Sequence, residues 1–371
     1  MLNFERMFII ITLLIFILLA GIVFMHQPQF GKQPAGERLM IIKKSPNYKN
    51  GAFQNQSITP DLTEGANYFS VIRNFLFGKS KRAKPVDRIP SIKTDLLNLD
   101  INEDVLVWFG HSSYFIQIDG KRILVDPVLS GSASPLPFGT KAFKGADIYT
   151  ANDISVIDYL FISHDHWDHL DYQTIIQLKT KIKKVICPLG VGEHLEYWGY
   201  NKNSIIEKDW NEEIILEVGF TVHTVPARHF SGRGIKRNQS LWMAFVLQTP
   251  TMKIFIGGDS GYDKHFAEIG KIFGIFDVVI LENGQYNKAW KYIHSMPDEV
   301  LKIAKELNGK RMLPVHSSKF AIALHSWDEP MVKITELNKS ANIQIMTPLI
   351  GEKVNLKDST QQFTEWWKNI N

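Results

Sequence analysis

The chain has 371 residues, 44% hydrophobic and 22% charged, which is the composition of a globular protein and not of a disordered or fibrous one. Its net charge of +4, without a long basic run, argues against nucleic acid as the main partner. The single cysteine, Cys187, excludes an intrachain disulfide, and we expect it to be a buried apolar residue. Length alone is typical of about two domains.

The first predicted element is a membrane-spanning helix. Met7 to Met25 carries no charge, and a helix of this length reaches about 28 Å, close to the hydrocarbon thickness of a bilayer. A cleaved signal peptide is the alternative, but it has a shorter apolar core and small residues at its cleavage site. We therefore predict that residues 1–25 form an uncleaved, single-pass N-terminal membrane anchor. The lysines and arginines after it favour a cytoplasmic catalytic domain, although a long following domain weakens that rule.

Residues 26–100 are predicted to be a linker and lead-in segment, because proline and glycine recur along it. Within it, Ala66 to Phe77 has the pattern of a short amphipathic helix. Basic residues follow at once: Lys79, Lys81, Arg82, Lys84 and Arg88. Two interpretations are open. We favour a helix that packs on the main domain with a solvated basic tail; the other is an interfacial element that contacts anionic lipid headgroups.

Residues 101–371 are predicted to form the main domain. Strand-like apolar runs occur at 105–108, 114–118, 123–125, 159–162, 185–187, 220–225, 242–248, 253–256, 278–281 and 311–315. Helices are predicted over 172–181, with Asp171 as N-cap, and over 297–307 and 329–337. Groups of strands with interspersed helices predict a layered α/β architecture.

A polar cluster follows the apolar run at 159–162. His164 to His169 reads His-Asp-His-Trp-Asp-His and holds three histidines and two aspartates. Positions i and i+2 do not share a helix face, so a helical stripe does not explain His164 and His166. A tight turn after a strand can point both imidazoles at one place, and Asp168 and His169 at a second. Imidazole and carboxylate together suit zinc and other borderline divalent ions, so we predict a metal site.

Further polar residues follow later strands of the predicted domain. His229 follows the run at 220–225, Asp259 follows 253–256, and His316 follows 311–315. Each alone is more often a structural hydrogen-bonding residue. Together with the first cluster they give five histidines and two aspartates at strand ends that meet on a common rim. Seven ligands are what two metal ions need if one aspartate bridges them.

The motifs of the domain resemble those of the metallo-β-lactamase fold superfamily. Within it they are most similar to N-acylphosphatidylethanolamine-hydrolysing phospholipase D and its bacterial relatives. The residues that carry the likeness, over about 100–350, are Gly110-His111-Ser112, Leu124 to Leu129, Ala133 to Pro135, Ile162 to Tyr172, Pro188 to Gly190, Gly258 to Tyr262, Phe273 to Asp277, His294 to Glu299, Pro314 to His316 and Phe320-Ala321. The resemblance implies a four-layer αββα sandwich with metals at one edge of the paired sheets, here preceded by the transmembrane helix.

The resemblance also implies a ligand set for two Zn²⁺ ions per chain. His164, His166 and His229 would hold one ion. Asp168, His169 and His316 would hold the other, and Asp259 would bridge them. Two such ions can share a hydroxide and stabilise both oxygens of a phosphoryl displacement, so no serine or cysteine nucleophile is required. Iron or manganese also occupies mixed nitrogen and oxygen sites of this kind.

Several other residues are expected to lie near the substrate or the metal ligands. His294 resembles a family position near the substrate, where it would position the phosphate or protonate the leaving group; the alternative is a residue that only precedes a helix. Gln285 and Tyr286 are candidate substrate-pocket residues in a loop that departs from the lipase-like members. His111 and Asp126 are expected to support the metal ligands. Asp165, inside the signature, is expected to be solvated.

These patterns leave three functional hypotheses. The first is a membrane-anchored binuclear zinc phosphodiesterase, phospholipase D-like, that acts on an N-acyl phosphatidylethanolamine-like phospholipid with Asp168, Asp259 and His294 in catalytic roles. The second is a lactonase or another hydrolase of a small phosphorylated metabolite on the same fold. The third is a metal-free scaffold or sensor, which the complete ligand set disfavours. True β-lactamase activity fits the strand-end motifs less well, and the oligomeric state is left open.

Overall fold

The computed structural model describes residues 4–136 and 138–371. Its α-helices are, in chain order, α1 (Phe4–Met25), α2 (Gly36–Ile42), α3 (Tyr68–Phe77), α4 (Tyr172–Leu178), α5 (Val191–Tyr197), α6 (His265–Phe273), α7 (Pro297–Glu306) and α8 (Glu329–Ala341). Its strands are β1 (Tyr48–Lys49), β2 (Ala52–Phe53), β3 (Val105–Trp108), β4 (Tyr114–Ile118), β5 (Lys121–Val125), β6 (Ile157–Phe161), β7 (Ile182–Pro188), β8 (Ile205–Lys208), β9 (Glu213–Glu217), β10 (Phe220–Val225), β11 (Ala244–Gln248), β12 (Lys253–Ile256), β13 (Phe276–Glu282), β14 (Gly309–Val315), β15 (Gln344–Ile345) and β16 (Lys353–Asn355).

Two seven-stranded sheets form the centre of the fold. Their strand orders are β16-β3-β4-β5-β6-β7-β8 and β15-β14-β13-β12-β11-β10-β9. The run from β5 to β8 is parallel in the first sheet, and the run from β12 to β15 is parallel in the second. Because parallel strands end on the same edge of a sheet, the loops after them gather on one rim.

Side chains alternate between two cores along the central strands, as β6 shows. Tyr159 and Phe161 point into the core between the sheets, where Phe161 meets Phe245 of the other sheet with ring centroids 5.1 Å apart. Leu160 and Ile162 point to the opposite side, where α4 and α5 cover the first sheet. Helices α6, α7 and α8 cover the second sheet in the same way. The layers are therefore αββα, which confirms the predicted fold class.

The helix starts follow local capping chemistry. The Asp171 carboxylate accepts hydrogen bonds from the backbone N–H groups of Gln173 and Thr174, as predicted for the N-cap of α4. In α7, Pro297 occupies the first turn and the Glu299 carboxylate accepts from the Met296 N–H. Cys187 is fully buried on β7, which confirms the prediction made for it.

Helix α1 stands apart from these layers. It has 22 residues, none of them buried, and its length and composition suit a membrane span. At 1.5 Å per residue it reaches about 33 Å, enough to cross the hydrocarbon core of a bilayer. It is the one helix of this kind in the described chain. Its length, apolar composition and exposure make α1 a candidate N-terminal membrane span.

Candidate metal centre

Loops at one rim of the two sheets bring all seven predicted ligand residues together. Four of them follow β6, and His229, Asp259 and His316 follow β10, β12 and β14. Five of the side chains are buried, and His166 and Asp168 are partly buried, with the Asp168 side chain 15% exposed. Their donor atoms fall into overlapping groups: His164, His166 and His229 form one, Asp168, His169 and His316 belong to a second, and Asp259 groups with members of both.

The first group consists of three imidazoles. The Nδ1 atom of His166 lies 2.9 Å from His164 Nε2 and 3.2 Å from His229 Nε2. The Asp259 Oδ2 atom lies 3.9 Å from His164 Nε2 and 3.8 Å from His229 Nε2. Burial lowers the pKa of His166 to about 4, and burial also lowers the pKa values of His164 and His229. Neutral imidazoles are the form that binds metal.

The second group combines carboxylates with imidazoles. The Asp168 Oδ2 atom lies 3.6 Å from His169 Nε2 and 3.3 Å from His316 Nε2. The Asp259 Oδ2 atom lies 3.2 Å from each of the same two nitrogens. Asp259 therefore reaches the donor atoms of both groups, as a bridging carboxylate requires.

The spacing and the chemistry of these donors fit divalent metal. Tetrahedral zinc with bonds of about 2.0–2.2 Å holds its ligand atoms roughly 3.3–3.6 Å apart, and the four carboxylate–imidazole separations within the second group lie between 3.2 and 3.6 Å. Two buried polar atoms of the ligand residues, His169 Nε2 and Asp259 Oδ1, have no hydrogen-bond partner among the described residues. Buried polar groups are rarely left unpaired, so a cation is the missing partner that the arrangement calls for.

Hydrogen bonds from surrounding residues orient several of these candidate ligand side chains. His169 Nδ1 lies 2.8 Å from Asp126 Oδ2, and His229 Nδ1 donates to the Ile293 carbonyl at 2.9 Å. His111 Nε2 lies 2.9 Å from Asp168 Oδ2. Burial, assisted by the nearby charge of His316, lowers the pKa of His111 to about 3, so its neutral ring donates to that carboxylate. His111 and Asp126 thus make the supporting contacts that the sequence predicted.

The backbone at this rim adopts conformations that most residues avoid. His111, Asp126 and His316 have φ angles of +52°, +40° and +67°, a left-handed region that is uncommon for residues other than glycine. The His111 N–H donates to the Ser317 carbonyl and the His316 N–H donates to the His111 carbonyl, both at 2.9 Å. Such reciprocal bonds hold the strained conformations in place, as at many functional sites.

A residue that sequence reasoning missed, Glu282, joins two histidines of the rim. Its Oε2 atom lies 2.7 Å from His294 Nδ1 and 3.3 Å from His316 Nδ1. Its Oε1 atom accepts hydrogen bonds from the backbone N–H groups of Ser295 and Ser260. The signal available in the sequence was its position as the last residue of a strand that ends at the same rim. Glu282 orients His294 toward the metal centre.

The expectation that Asp165 is solvated is wrong. Its side chain is buried, because its carboxylate accepts hydrogen bonds from the Gly232 N–H at 2.7 Å and from the Ser240 hydroxyl at 2.8 Å. His194 Nε2 lies 3.3 Å from the same carboxylate. Burial opposes ionisation, but these partners hold the pKa of Asp165 below its usual value. The residue therefore stabilises the metal-binding loop from inside the protein.

A cavity of about 290 Å³ lies directly over the metal centre. Its lining includes the polar side chains of the metal site: His166, Asp168, His229, Asp259, His294 and His316. It also includes seven apolar side chains: Leu62, Val71, Phe75, Phe230, Trp290, Ile293 and Ile322; Asp61, Tyr68, Arg237 and Gln285 complete it. The cavity therefore offers metal-binding groups and apolar surface to the same ligand.

The two candidate substrate-pocket residues, Gln285 and Tyr286, differ in whether they line the cavity. Gln285 lines the cavity, but its amide oxygen accepts from the Ile322 and Ala323 N–H groups, so it shapes the loop around the cavity. Tyr286 is buried away from the cavity, where its hydroxyl donates to Glu329 at 3.1 Å. The structure thus brings Gln285 to the cavity and does not bring Tyr286 there.

The fold and the site define a metal-dependent hydrolase of the metallo-β-lactamase fold. Residues 121–317 match the family model described as a β-lactamase superfamily domain. The chain belongs to this superfamily.

The chain is also similar to individual known proteins. An uncharacterised protein of Mycobacterium tuberculosis is 34% identical over 333 residues, which cover 88% of this chain and 89% of that protein. An N-acyl-phosphatidylethanolamine-hydrolysing phospholipase D of Caenorhabditis elegans is 28% identical, over 62% of this chain and 68% of that protein. Among solved structures, the metallohydrolase Igni18 of Ignicoccus hospitalis matches with a TM-score of 0.53 at 18% identity, over 68% of this chain and 98% of that one.

Proposed function

We propose that this chain is a membrane-anchored hydrolase with two zinc ions that cleaves a phosphodiester bond in an N-acyl phosphatidylethanolamine-like phospholipid. The observation that carries the proposal is the mixed lining of the cavity, in which seven apolar side chains lie together with the candidate metal-binding side chains. A phosphodiester with a long acyl chain has the same two parts. A small phosphorylated ring would leave most of these seven apolar side chains without a contact.

The ligand assignment follows the two groups of donor atoms. His164, His166 and His229 would hold one zinc ion, with Asp259 as the carboxylate shared with the second. Asp168, His169 and His316 would complete the second site. When bound, the two ions supply Lewis acidity, which acidifies water and offsets the negative charge of the phosphate.

His294 is the residue best placed to transfer a proton to the substrate. Its Nδ1 atom is engaged by Glu282 at 2.7 Å, and the ring lines the cavity. The other ring nitrogen, Nε2, is then the atom that can hold a proton for the departing oxygen of the substrate. Glu282 keeps the ring in that orientation.

Replacement of His294 separates proton transfer from metal binding. We expect His294→Ala to lower kcat by about 100-fold, the typical contribution of a general acid, while the zinc content stays at the wild-type value. Glu282→Gln is expected to lower kcat less, because the amide oxygen can still accept a hydrogen bond from His294 Nδ1, but more weakly than a carboxylate does. Steady-state kinetics with elemental analysis checks both variants, and loss of zinc from His294→Ala would show that His294 has a different role.

A substrate panel tests the proposal itself. The full-length chain in detergent micelles is given N-acyl phosphatidylethanolamine, phosphatidylcholine, bis(4-nitrophenyl) phosphate and a phosphorylated lactone. The proposal predicts release of phosphatidic acid from the N-acyl lipid, weaker cleavage of the aryl phosphodiester and no opening of the lactone. Turnover of the lactone alone would contradict the proposal and favour a small-metabolite hydrolase.

A further inference from the structure

Helix α3 presents an unusually apolar surface to solvent. Phe69, Leu76 and Phe77 are 79%, 68% and 84% exposed, and Ile72 is more than half exposed. The opposite side of the same helix also carries apolar residues, since Val71 and Phe75 line the cavity over the metal centre. Large exposed apolar patches on a folded protein mark interaction sites, and the outer face of α3 is such a patch.

The inner contacts of α3 fix its position relative to the cavity. The ring of Phe75 stacks on Trp290 with centroids 5.8 Å apart. Ahead of the helix, the Thr63 hydroxyl donates to the Lys288 carbonyl at 2.8 Å. The Asn67 side chain caps the helix by accepting from the Ser70 N–H. The helix is therefore a wall of the cavity, and its outer face lies beside the cavity mouth.

The end of the membrane span is fixed against the loop that carries the candidate metal ligands. After α1, the ring of Phe30 lies 5.2 Å from Trp167, which stands in the metal-binding loop next to His166. The Arg233 guanidinium donates to the Gln29 carbonyl through two nitrogens, at 2.8 and 3.1 Å. The same guanidinium donates to the Asp165 and Leu170 carbonyls. The point where the chain leaves the membrane is thus attached to the loop that holds the metal.

A chain of contacts continues from this loop to α3. The ring of His166 meets Phe230 at 4.3 Å, and the Arg237 guanidinium lies 4.1 Å from the centre of that ring. Arg237 pairs with Asp61 at 3.1 Å, and Asp61 accepts a hydrogen bond from the Tyr68 hydroxyl of α3. The membrane exit and α3 are therefore connected around one rim of the cavity.

Exposed cations lie on α3 and next to it. Arg73 is on the helix, Lys79 follows it, and Lys288 and Lys291 flank Trp290. Apolar side chains bordered by lysine and arginine are typical of helices that lie in the headgroup region of a membrane. Basic residues at that depth are attracted to lipid phosphates.

We propose that α3 lies in the interface of the membrane that α1 spans, with Phe69, Ile72, Leu76 and Phe77 inserted among the lipids. The cavity then opens onto the bilayer surface, so that a lipid reaches the metal centre along the inner face of α3. This inference rests on the membrane anchoring in the proposed function. Of the two interpretations of residues 66–88, it selects the interfacial element while keeping the inner contacts of the helix with the domain.

Site-specific fluorescence tests the position of α3 without reference to activity. The native Cys187 is fully buried, so a cysteine introduced as Leu76→Cys accepts an environment-sensitive dye selectively. Val218→Cys is the matched control, because Val218 is 98% exposed in the turn between β9 and β10, at the opposite end of β10 from the metal centre. The labelled full-length chains are reconstituted into vesicles of phosphatidylcholine and phosphatidylglycerol, with and without spin-labelled lipid.

The proposal predicts a blue-shifted emission for the dye at position 76 and its quenching by spin-labelled lipid, with neither effect at position 218. Equal, unquenched emission at both positions would overturn it. As a second measurement, Phe69→Asp with Leu76→Asp should lower kcat/KM for vesicle-embedded N-acyl lipid by about 10-fold or more, with hydrolysis of bis(4-nitrophenyl) phosphate unchanged. An equal loss on both substrates would contradict interfacial docking. If the wild-type chain cleaves neither substrate, the proposed function fails, and the fluorescence still decides the position of α3.

Discussion

Asp259→Asn is expected to lower turnover of the phospholipid by about 1,000-fold or more, the scale set by loss of a group that organises transition-state electrostatics. The Asp259 Oδ2 atom is 3.2 Å from two ring nitrogens of the second group and less than 4 Å from two of the first. The amide has nearly the same volume but no charge, so packing is preserved while the shared ligand is weakened. We expect metal content to fall in parallel.

Asp263→Asn is the matched control for this substitution. Asp263 lies in the same loop before α6, but it does not line the cavity or belong to either donor group. Its variant should keep the activity and the metal content of the wild type. Retention of most activity by Asp259→Asn, with unchanged metal, would show that Asp259 does not bridge the two groups.

Arg233→Met is expected to destabilise the protein by about 3–5 kcal/mol, because hydrogen bonds from a charged donor are lost and buried carbonyl groups are left unpaired. Arg233 is 2% exposed and donates to the carbonyls of Gln29, Asp165 and Leu170. Its guanidinium also lies 4.0 Å from the centre of the Trp167 ring. Methionine fills part of the volume but replaces none of these bonds.

The effect of Arg233→Met should extend to the metal centre, because two of its carbonyl partners lie within or next to the His164–His169 loop. We expect a lower urea midpoint and weaker zinc retention on dialysis against a chelator. Lys202→Met is the control: Lys202 is 69% exposed and pairs with Glu37, which is 74% exposed, and such a surface ion pair contributes less than about 1 kcal/mol. Equal stability of the two variants would show that Arg233 does not connect the segment after α1 to the metal loop.

Local sequence patterns predicted ten of the fourteen strands in the two sheets and missed β8, β9, β15 and β16. They also placed the candidate ligand residues at strand ends, whereas the ligand set itself was implied by the family resemblance. Apolar runs such as β6 are bounded by polar residues. The residue that follows a parallel strand lies at the edge of the sheet where the carboxyl ends of the strands meet. His229, Asp259 and His316 could therefore be assigned to one rim before their contacts were known. Glu282 was overlooked because a glutamate at a strand end has no spacing signature relative to His294, twelve residues later.

Long-range contacts account for what the sequence did not reveal. Nothing in the composition of residues 26–100 shows that Gln29 bonds to Arg233, or that Phe75 covers the metal centre. Asp165 looked solvated because its partners, Gly232 and Ser240, lie far along the chain. Such contacts depend on how the layers assemble, which periodicity within one element does not encode.

The metal content of the purified, full-length chain tests the central claim most directly. The protein is prepared in detergent from cells grown with zinc, and metal and protein are quantified on the same folded sample. Because seven donor side chains form two groups around Asp259, we predict about two zinc ions per chain, both removed together with activity by a chelator. Folded protein that hydrolyses its substrate while holding no more than trace metal would contradict the account.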